Sequence, residues 1–247
     1  MINVRSRREI ELMRSANRIV STVLRTLRSK VQPGVRTIEL DRLAESIIRD
    51  QGGKPAFKGY RGFPANICTS INDEVVHGIP SERTLDEGDI VSIDVGVEHL
   101  GYCGDAAITV GVGKISADAA RLIAVTEKAL EEGIRAARAG NHISDISIAI
   151  QRTAESEGFS VVRIFVGHGI GVAIHEEPEV PNFGRSGTGP LLTSGMALAI
   201  EPMINCGSHE VEVLDDGWTA VTKDRKLSAH FEHTIVITDS KAEVLTR

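Results

Sequence analysis

Four acidic residues stand in segments that are otherwise apolar enough to form buried strands. Asp94 lies in SIDVGV and Asp105 in YCGDAAITV, and their separation of eleven positions suits the two arms of a hairpin. Glu201 lies in MALAIEPMI and Glu232 in HFEHTIVIT. Burying an isolated carboxylate costs several kcal/mol, so each of these groups must be exposed to water, paired with a cation or bound to a metal ion.

Together with one histidine, these acids are typical of a divalent metal site. A lone strand acid usually points to solvent or meets an arginine, but Arg and Lys are scarce in these segments. His168, between two glycines in IFVGHGIG, adds an imidazole where the backbone leaves room for another group. Oxygen ligands with one imidazole suit Mn, Fe, Co or Zn. Bridging carboxylates suit two ions about 3.5–4 Å apart that share an activated water.

Two further histidines flank these segments. His77 precedes a Gly-Ile-Pro turn, and His175 follows His168 by seven positions. Each is either a hydrogen-bonded structural residue or a group that contacts a substrate, and the residues alone leave both interpretations open. The other five are interpreted as surface or structural histidines: His99, His142, His209, His230 and His233.

The elements that must position these residues recur in two halves. An apolar stripe of helical spacing runs from Ile10 to Leu27 and is followed by a second helix that Thr37 can cap. The same order returns with a helix from Ser116 and another from about Ser144. Glycines close each second helix at the same spacing: Gly34 to Gly52 and Gly140 to Gly158 are both 18 positions, at an offset of 106. The pattern predicts two related α+β halves that share one antiparallel sheet.

Each half contributes two of the acids. Asp94 and Glu201 are 107 positions apart, close to the offset of the helices. Asp105 and Glu232 are 127 apart, so the second half must carry an insertion, for which the polar stretch 207–226 is the candidate. With no linker between the halves, we expect one catalytic domain, residues 1–247, with internal halves of roughly 1–112 and 113–247.

Composition excludes several other classes of protein. The chain has 247 residues, and its net charge of −6 argues against a nucleic-acid binder. No run approaches the roughly 20 apolar residues of a membrane helix, and the first ten residues lack the apolar region of a signal peptide. Three widely spaced cysteines fit neither a disulfide framework nor a thiolate zinc site, so we expect a cytoplasmic protein. Phosphate loops, serine elbows and HExxH are absent from the sequence.

The order of these residues resembles methionine aminopeptidases of type I, in their short bacterial form. The resemblance runs from IELMRSANRIV to FEHTIVIT and includes NDEVVHGIP, SIDVGV, HGIG, HEEP, AIEP and TKDRKLSAHFEHT. It implies the pita-bread fold, two α+β halves related by an approximate two-fold axis. The implied reaction is hydrolysis of the peptide bond after an initiator methionine, in nascent proteins and peptides, when the second residue is small.

The resemblance also implies roles for individual residues. One divalent ion would take Asp94 and share Asp105 and Glu232, and the other would take His168 and Glu201 with the shared pair. Glu201 would move a proton, His175 would face the carbonyl oxygen, and His77 would contact the scissile nitrogen. The methionine pocket would be lined by Tyr60, Phe63, Cys68, Ile174 and Trp218, although core packing explains Cys68 equally well.

Partners and rivals follow from the same resemblance. It implies a transient contact at the ribosomal exit tunnel, for which the Arg-rich first helix is the candidate surface, although such a face is more often merely solvated. Nothing indicates an obligate dimer, so we expect a monomer. The rival within the fold is aminopeptidase P or prolidase, which usually carry a separate N-terminal domain. A non-catalytic pita-bread binding module is the rival outside catalysis, and the five competent ligand positions argue against it.

Overall fold

The helices of the computed structural model, which describes residues 2–247, follow the repeat expected from the sequence. They are α1 (Arg7–Arg28), α2 (Thr37–Asp50), α3 (Ala117–Ala136) and α4 (Ile143–Ser156). Both α2 and α4 have 14 residues, and their first and last residues differ by the predicted offset of 106. The glycines that precede them, Gly34 and Gly140, have φ of 91° and 92°, a conformation that other residues adopt only with strain.

Local capping explains where the helices begin. Ser6 caps α1 in a reciprocal pair with Glu9, and the Ser116 hydroxyl accepts the amide of Ala119 at the start of α3. Thr37 is the first residue of α2 and does not cap it, contrary to the prediction. Its hydroxyl instead accepts the Ser81 amide at 2.8 Å and donates to the Ser81 carbonyl at 3.1 Å, which ties α2 to the segment after His77.

Short strands fill the rest of each half. Those of the first half are β1 (Lys54–Pro55), β2 (Cys68–Ile71), β3 (Glu74–Val76), β4 (Ile90–His99) and β5 (Tyr102–Gly111). Those of the second half are β6 (Ser160–Val161), β7 (Gly167–Gly169), β8 (Glu176–Val180), β9 (Ala197–Ile200), β10 (Met203–Asn205), β11 (Val211–Val213), β12 (Ala220–Thr222), β13 (Ser228–His230), β14 (His233–Val236) and β15 (Glu243–Val244).

All strand pairs are antiparallel, and the halves meet along a hydrogen-bonded seam. The first half builds its sheet around the β4–β5 hairpin, and the second half builds the order β15-β14-β9-β7-β8. Ala107 of β5 and Glu232 exchange backbone hydrogen bonds of 2.9 and 3.3 Å. The Thr234 hydroxyl accepts the Asp105 amide and donates to the Asp105 carbonyl. The two sheets are therefore joined at the residues that carry the acids.

The stretch 207–226, predicted to be an insertion, forms a hairpin. Its strands β11 and β12 pair with each other, and β12 pairs with β3 of the first half. Trp218 lies in the turn between them, where its backbone amide and that of Thr219 donate to the Asp216 carboxylate. The insertion thereby bridges the halves and carries an aromatic side chain to the centre of the molecule.

Each half buries its own apolar cluster. The cluster of the first half packs α1 and α2 on β4 and β5, and includes Leu27, Leu40 and Ile93. The cluster of the second half packs α3 and α4 on its sheet, and includes Leu130 and Ile146. Among the described residues, no helix is both long enough and apolar enough to cross a membrane.

Candidate metal centre and substrate cavity

The hairpin of the first half places two carboxylates on one face of its sheet. Asp94 pairs with Ala107 and Gly96 pairs with Asp105, so the two aspartates are diagonal neighbours on opposite strands. Cys68 of β2 lies directly opposite Asp94 on the other side. A spacing of eleven with a two-residue turn produces this register, as the sequence predicted.

Strands of the second half bring the remaining ligands to the same place. His168 in β7 pairs with Ala199 in β9, and Glu201 follows β9 at once. The His168 Nε2 lies 3.5 Å from Glu201 Oε1 and 4.0 Å from Asp105 Oδ2. Potential ligand atoms of Asp105, His168 and Glu232 all lie within 4.8 Å of one another. The five residues predicted as ligands therefore converge from both halves on one point.

Within the described part of the chain, the acids at this point have no Lys or Arg to balance their negative charge. No Lys or Arg among residues 2–247 forms a salt bridge with any of the four acids. The basic side chains within 4.0 Å of Asp105 and Glu201 are the histidines His168 and His230. One buried oxygen each of Asp94, Asp105 and Glu232 has no hydrogen-bond partner. Burial raises the pKa of Asp94 to about 7 and that of Glu201 to about 8. A set of orphaned carboxylate oxygens and one imidazole fits divalent metal ions.

His168 presents a neutral nitrogen to the acids. Its Nδ1 lies 2.9 Å from the carbonyl of Gly169, a contact that assigns the proton to Nδ1 and leaves Nε2 free as a ligand. Burial, with His175 nearby, lowers the pKa of His168 to about 3. The pKa values of Asp105 and Glu232 move the other way, well above their usual range, because both carboxyls are buried beside other acids.

A cavity of about 560 Å³ opens onto these groups. Six of its lining side chains were predicted from the sequence as substrate contacts: Tyr60, Phe63, Cys68, His77, His175 and Trp218. Ile174 is not among the lining residues; it is buried in the apolar cluster that includes Phe63 and Cys68. Lining residues that the sequence did not single out include Phe57, Arg61, Val76, Ile164, Phe165, Val166, Glu176, Glu177 and Glu179.

Aromatic contacts hold the two histidines of the cavity. The His77 ring packs edge-on against Phe165 at 5.3 Å, and the His175 ring lies 4.3 Å from that of His168 and 5.1 Å from that of Tyr60. Burial lowers the pKa of His77 to about 4 and lowers that of His175. Both rings are therefore neutral near pH 7 and able to donate a hydrogen bond.

His77 also has an unusual backbone. Its φ is 62°, in the left-handed region that non-glycine residues seldom adopt and that occurs often at functional sites. The following residue must be Gly78, because a Cβ there would overlap the backbone of Thr69. The turn places the imidazole in the wall of the cavity, between Phe165 and Trp218.

His230 is a residue of the site that the sequence interpretation missed. It is buried rather than at the surface, and its Nε2 lies 3.6 Å from Glu201 Oε2. Its backbone is held at the seam by two hydrogen bonds with the Thr109 hydroxyl. The available signal was its position two residues before Glu232, since alternate residues of an extended segment face the same side.

The fold and the cavity together define a metal-dependent hydrolase. Buried carboxylates with one neutral imidazole can hold divalent ions that activate water, and the neighbouring neutral histidines can bind a polar substrate group. The chain belongs to metallopeptidase family M24, whose model matches residues 11–239. It is thus a metallopeptidase, and divalent metal use follows from both the family and the ligand cluster.

Several members of the family are similar to this chain over its whole length. The chain is 54% identical to the methionine aminopeptidase of Clostridium perfringens, covering 100% of this chain and 99% of that one. It is 51% identical to methionine aminopeptidase 1 of Bacillus subtilis, over the whole of both chains. The crystal structure of methionine aminopeptidase from Thermotoga maritima superposes with a TM-score of 0.99 over the whole of both chains, at 46% identity.

A more distant structure shares only the architecture. Prolidase from Pyrococcus furiosus has a TM-score of 0.81 and 22% identity, covering 99% of this chain and 65% of that one. The resemblance to type I methionine aminopeptidases and the pita-bread fold, both expected from the sequence, are confirmed.

Proposed function

We propose that this protein removes the initiator methionine from nascent proteins and peptides whose second residue is small. The observation that carries the proposal is a single cavity in which an apolar wall containing Phe63 and Trp218 adjoins the carboxylate cluster. An unbranched thioether side chain suits an apolar, aromatic wall, and the metal ligands lie beside it. The full-length relatives named methionine aminopeptidase support the same substrate.

We infer a pair of divalent ions, of Mn, Fe, Co or Zn, as the cofactors. One would be held by Asp94 and the other by His168 and Glu201, with Asp105 and Glu232 shared between them. Such ions supply an activated water and polarise a carbonyl group. The orphaned oxygens of Asp94, Asp105 and Glu232 support this assignment.

The protein's own side chains then handle protons and orientation. Glu201 takes the proton of the attacking water and passes it toward the leaving amine; its pKa of about 8 in the metal-free cavity reflects burial. Neutral His175 donates to the carbonyl oxygen as negative charge develops there, and His77 contacts the scissile nitrogen. The free amine of the substrate needs an anionic neighbour, and Asp94 is the natural one.

The substrate pocket is the finer part of the proposal. Tyr60, Phe63, Cys68 and Trp218 would surround the methionine side chain, with Ile174 supporting His175 from the buried cluster behind. The edge-to-face contact of Phe63 and Trp218, with centroids 5.1 Å apart, supports a rigid wall.

We further propose how the protein works in the cell. Residues 1–247 would act as one catalytic domain, with halves of roughly 1–112 and 113–247, in the cytoplasm and as a monomer. The three free cysteines support a reducing compartment. A transient ribosome contact would use the exposed arginines of α1, such as Arg7 and Arg18.

Release of free methionine from Met-Ala-Ser and Met-Leu-Ser peptides tests the function. We expect cleavage of the Met-Ala peptide alone, dependent on added Mn, Fe or Co, and none by the metal-free protein. Xaa-Pro peptides serve as the comparison for the prolidase activity of the same fold. Folded, metal-loaded protein that releases no methionine, or that prefers Xaa-Pro, would overturn the proposal.

A further inference from the structure

The segment that precedes α1 is fastened to the second half of the molecule. Val4 forms a β-bridge with Met196, and the Arg5 amide donates to the Gly195 carbonyl at 2.8 Å. Gly195 and Met196 lead directly into β9, which Glu201 follows. The first residues of the chain thus lie beside the elements that carry the metal ligands of the second half.

The Arg5 side chain is buried in this position. It is 6% exposed and forms an ion pair with Glu176, which is 11% exposed. Arg5 also packs against Gly171, where a Cβ would collide with the guanidinium. Without Glu176, the buried Arg5 would keep only a longer contact of 3.8 Å to Glu9, so the position of each member of the pair depends strongly on the other.

Glu176 gathers four donors onto one carboxylate. Its Oε2 accepts from Arg5 and from Asn3 Nδ2, the latter at 2.8 Å. Its Oε1 accepts the backbone amides of Val172 and Ala173, at 2.8 and 3.1 Å. The carboxylate therefore closes the loop between β7 and β8 onto itself and fastens that loop to the N-terminal segment.

That loop carries His175. It runs from the end of β7 at Gly169, next to His168, to the start of β8 at Glu176. Within the described residues no group hydrogen-bonds the His175 ring, so ring stacking and the loop backbone alone determine where the imidazole points. A displacement of about 1 Å at a catalytic group can reduce a rate about 100-fold.

We propose that Arg5 and Glu176 are positioning residues, which hold the 170–175 loop so that His175 faces the substrate carbonyl. The inference rests on the proposed peptidase function and adds to it two residues outside the reacting groups. Neither residue needs to touch substrate. Glu176 lines the cavity, but both its oxygens are engaged by protein donors, and Arg5 lies on the side of the loop toward α1.

Glu176→Gln tests the positioning role most directly. The amide has a single oxygen, so it cannot accept from both pairs of donors, and its NH₂ group faces donors wherever it turns. We expect kcat for Met-Ala-Ser to fall about 10- to 100-fold, with KM changed less than about 3-fold and with bound metal unchanged. Arg5→Met should match it, and Arg5→Lys should recover much of the activity.

Two readouts separate positioning from a general loss of stability. Amide hydrogen exchange of the 170–176 peptide should accelerate in Glu176→Gln and Arg5→Met, while exchange in α3 stays unchanged. In a His175→Ala background, adding Glu176→Gln should lower kcat no further, because the loop then has no imidazole to position.

The matched control is the Arg14–Glu243 pair, which also joins α1 to the second half, with bonds of 2.7 Å. This pair is more exposed, at 30% and 39% for the two side chains, and is not bonded to the 170–175 loop, so Glu243→Gln should leave kcat within about 2-fold. The inference is overturned if Glu176→Gln and Arg5→Met keep wild-type kcat, or if their losses persist undiminished in the His175→Ala background. Failure of the wild-type protein to release methionine would instead refute the proposed function.

Discussion

At the candidate site, acidic side chains and neutral histidines lie side by side. Four carboxyls without Lys or Arg partners lie beside histidines that burial keeps neutral. Such a set is poorly stable by itself, because either the carboxyls repel one another or they must bind protons. Divalent ions would neutralise the carboxylates and remove this repulsion. The residues that would bind the metal are therefore the ones whose ionisation most destabilises the metal-free protein.

Substitution of His77 tests a residue that we propose to contact substrate without holding metal. We expect His77→Ala to lower kcat about 10- to 100-fold, because the hydrogen bond to the scissile amide is lost, and to leave the metal content unchanged. Steady-state kinetics together with metal analysis of the purified variant measure both. His99→Ala, at the far end of β4, is the control, and an unchanged kcat in His77→Ala would refute the role.

The pH dependence of metal-free stability tests the carboxyl cluster. Unfolded acids have lost their protons by about pH 5, whereas burial raises the folded-state pKa of Asp94 to about 7 and of Glu201 to about 8. The folded state therefore binds more protons, and its free energy of unfolding falls as pH rises through these values. Histidines with lowered pKa oppose this only below the unfolded histidine value of about 6.5.

Between pH 7 and 8.5 the carboxyls thus dominate the pH dependence of the unfolding free energy. We expect the Tm of protein stripped with a chelator to fall across this range, and the metal-loaded protein to lose most of that slope. Asp94→Asn, which removes one titrating carboxyl, should give a shallower decline than the wild type. A metal-free Tm that is constant or rises from pH 7 to 8.5 would contradict the assignment.

At the scale of helices and strands, the sequence predicted what periodicity and spacing determine. The offset of 106 between α2 and α4, the β4–β5 hairpin and the start of α3 near Ser116 all follow from local patterns. The Arg5–Glu176 pair could not be predicted in this way, and His230 had only one local signal, its alternation with Glu232. Their roles arise from contacts between residues distant in sequence, and a buried ion pair has no periodic signature. The cap at Thr37 was wrong because the Ser81 backbone competes for its hydroxyl.

The contact of α2 with the chain before β2 is an anchor of this kind. The buried Asp41 carboxylate accepts the amides of Asn66 and Ile67 and the Asn66 side-chain amide, at 2.6–3.2 Å. These bonds fix the segment that leads to Cys68, and so the wall of the cavity.

Asp41→Ala should therefore affect stability and substrate binding together. We expect a loss of about 3 kcal/mol in unfolding free energy, since buried donors are left without an acceptor, and a raised KM for Met-Ala-Ser. Urea unfolding and steady-state kinetics measure the two effects. Asp50→Asn at the exposed end of α2 is the control. An unchanged KM in a destabilised Asp41→Ala would show that the Asp41 hydrogen bonds do not affect substrate binding.

At the scale of the whole molecule, two smaller apolar clusters contain residues of both halves, in addition to the main core of each half. Each half has its own apolar cluster, while backbone and threonine hydrogen bonds cross the seam at Asp105 and Glu232. The separation between carboxylates of different halves is therefore determined by the seam. Metal affinity and docking of the halves should be coupled.

Thr234→Val tests that coupling. The valine keeps the shape but removes the hydroxyl that serves both the amide and the carbonyl of Asp105. We expect unfolding free energy to fall by about 2–3 kcal/mol and metal affinity to fall about 10-fold, both measured by titration and thermal unfolding. Thr153→Val, whose hydroxyl bonds only within α4, is the control. Unchanged metal affinity in Thr234→Val would show that the halves dock independently of the seam hydroxyl.

The seam also has a consequence for biosynthesis. Glu232, which we propose as a shared ligand, lies late in the order of translation, after Asp94, Asp105, His168 and Glu201 have all emerged. A growing copy can bury the apolar cluster of its first half early, yet it cannot assemble the ion-binding centre until residues 230–234 leave the ribosome and pair with β5. Under the proposed ligand assignment, each new molecule therefore gains its activity only near the end of its own synthesis.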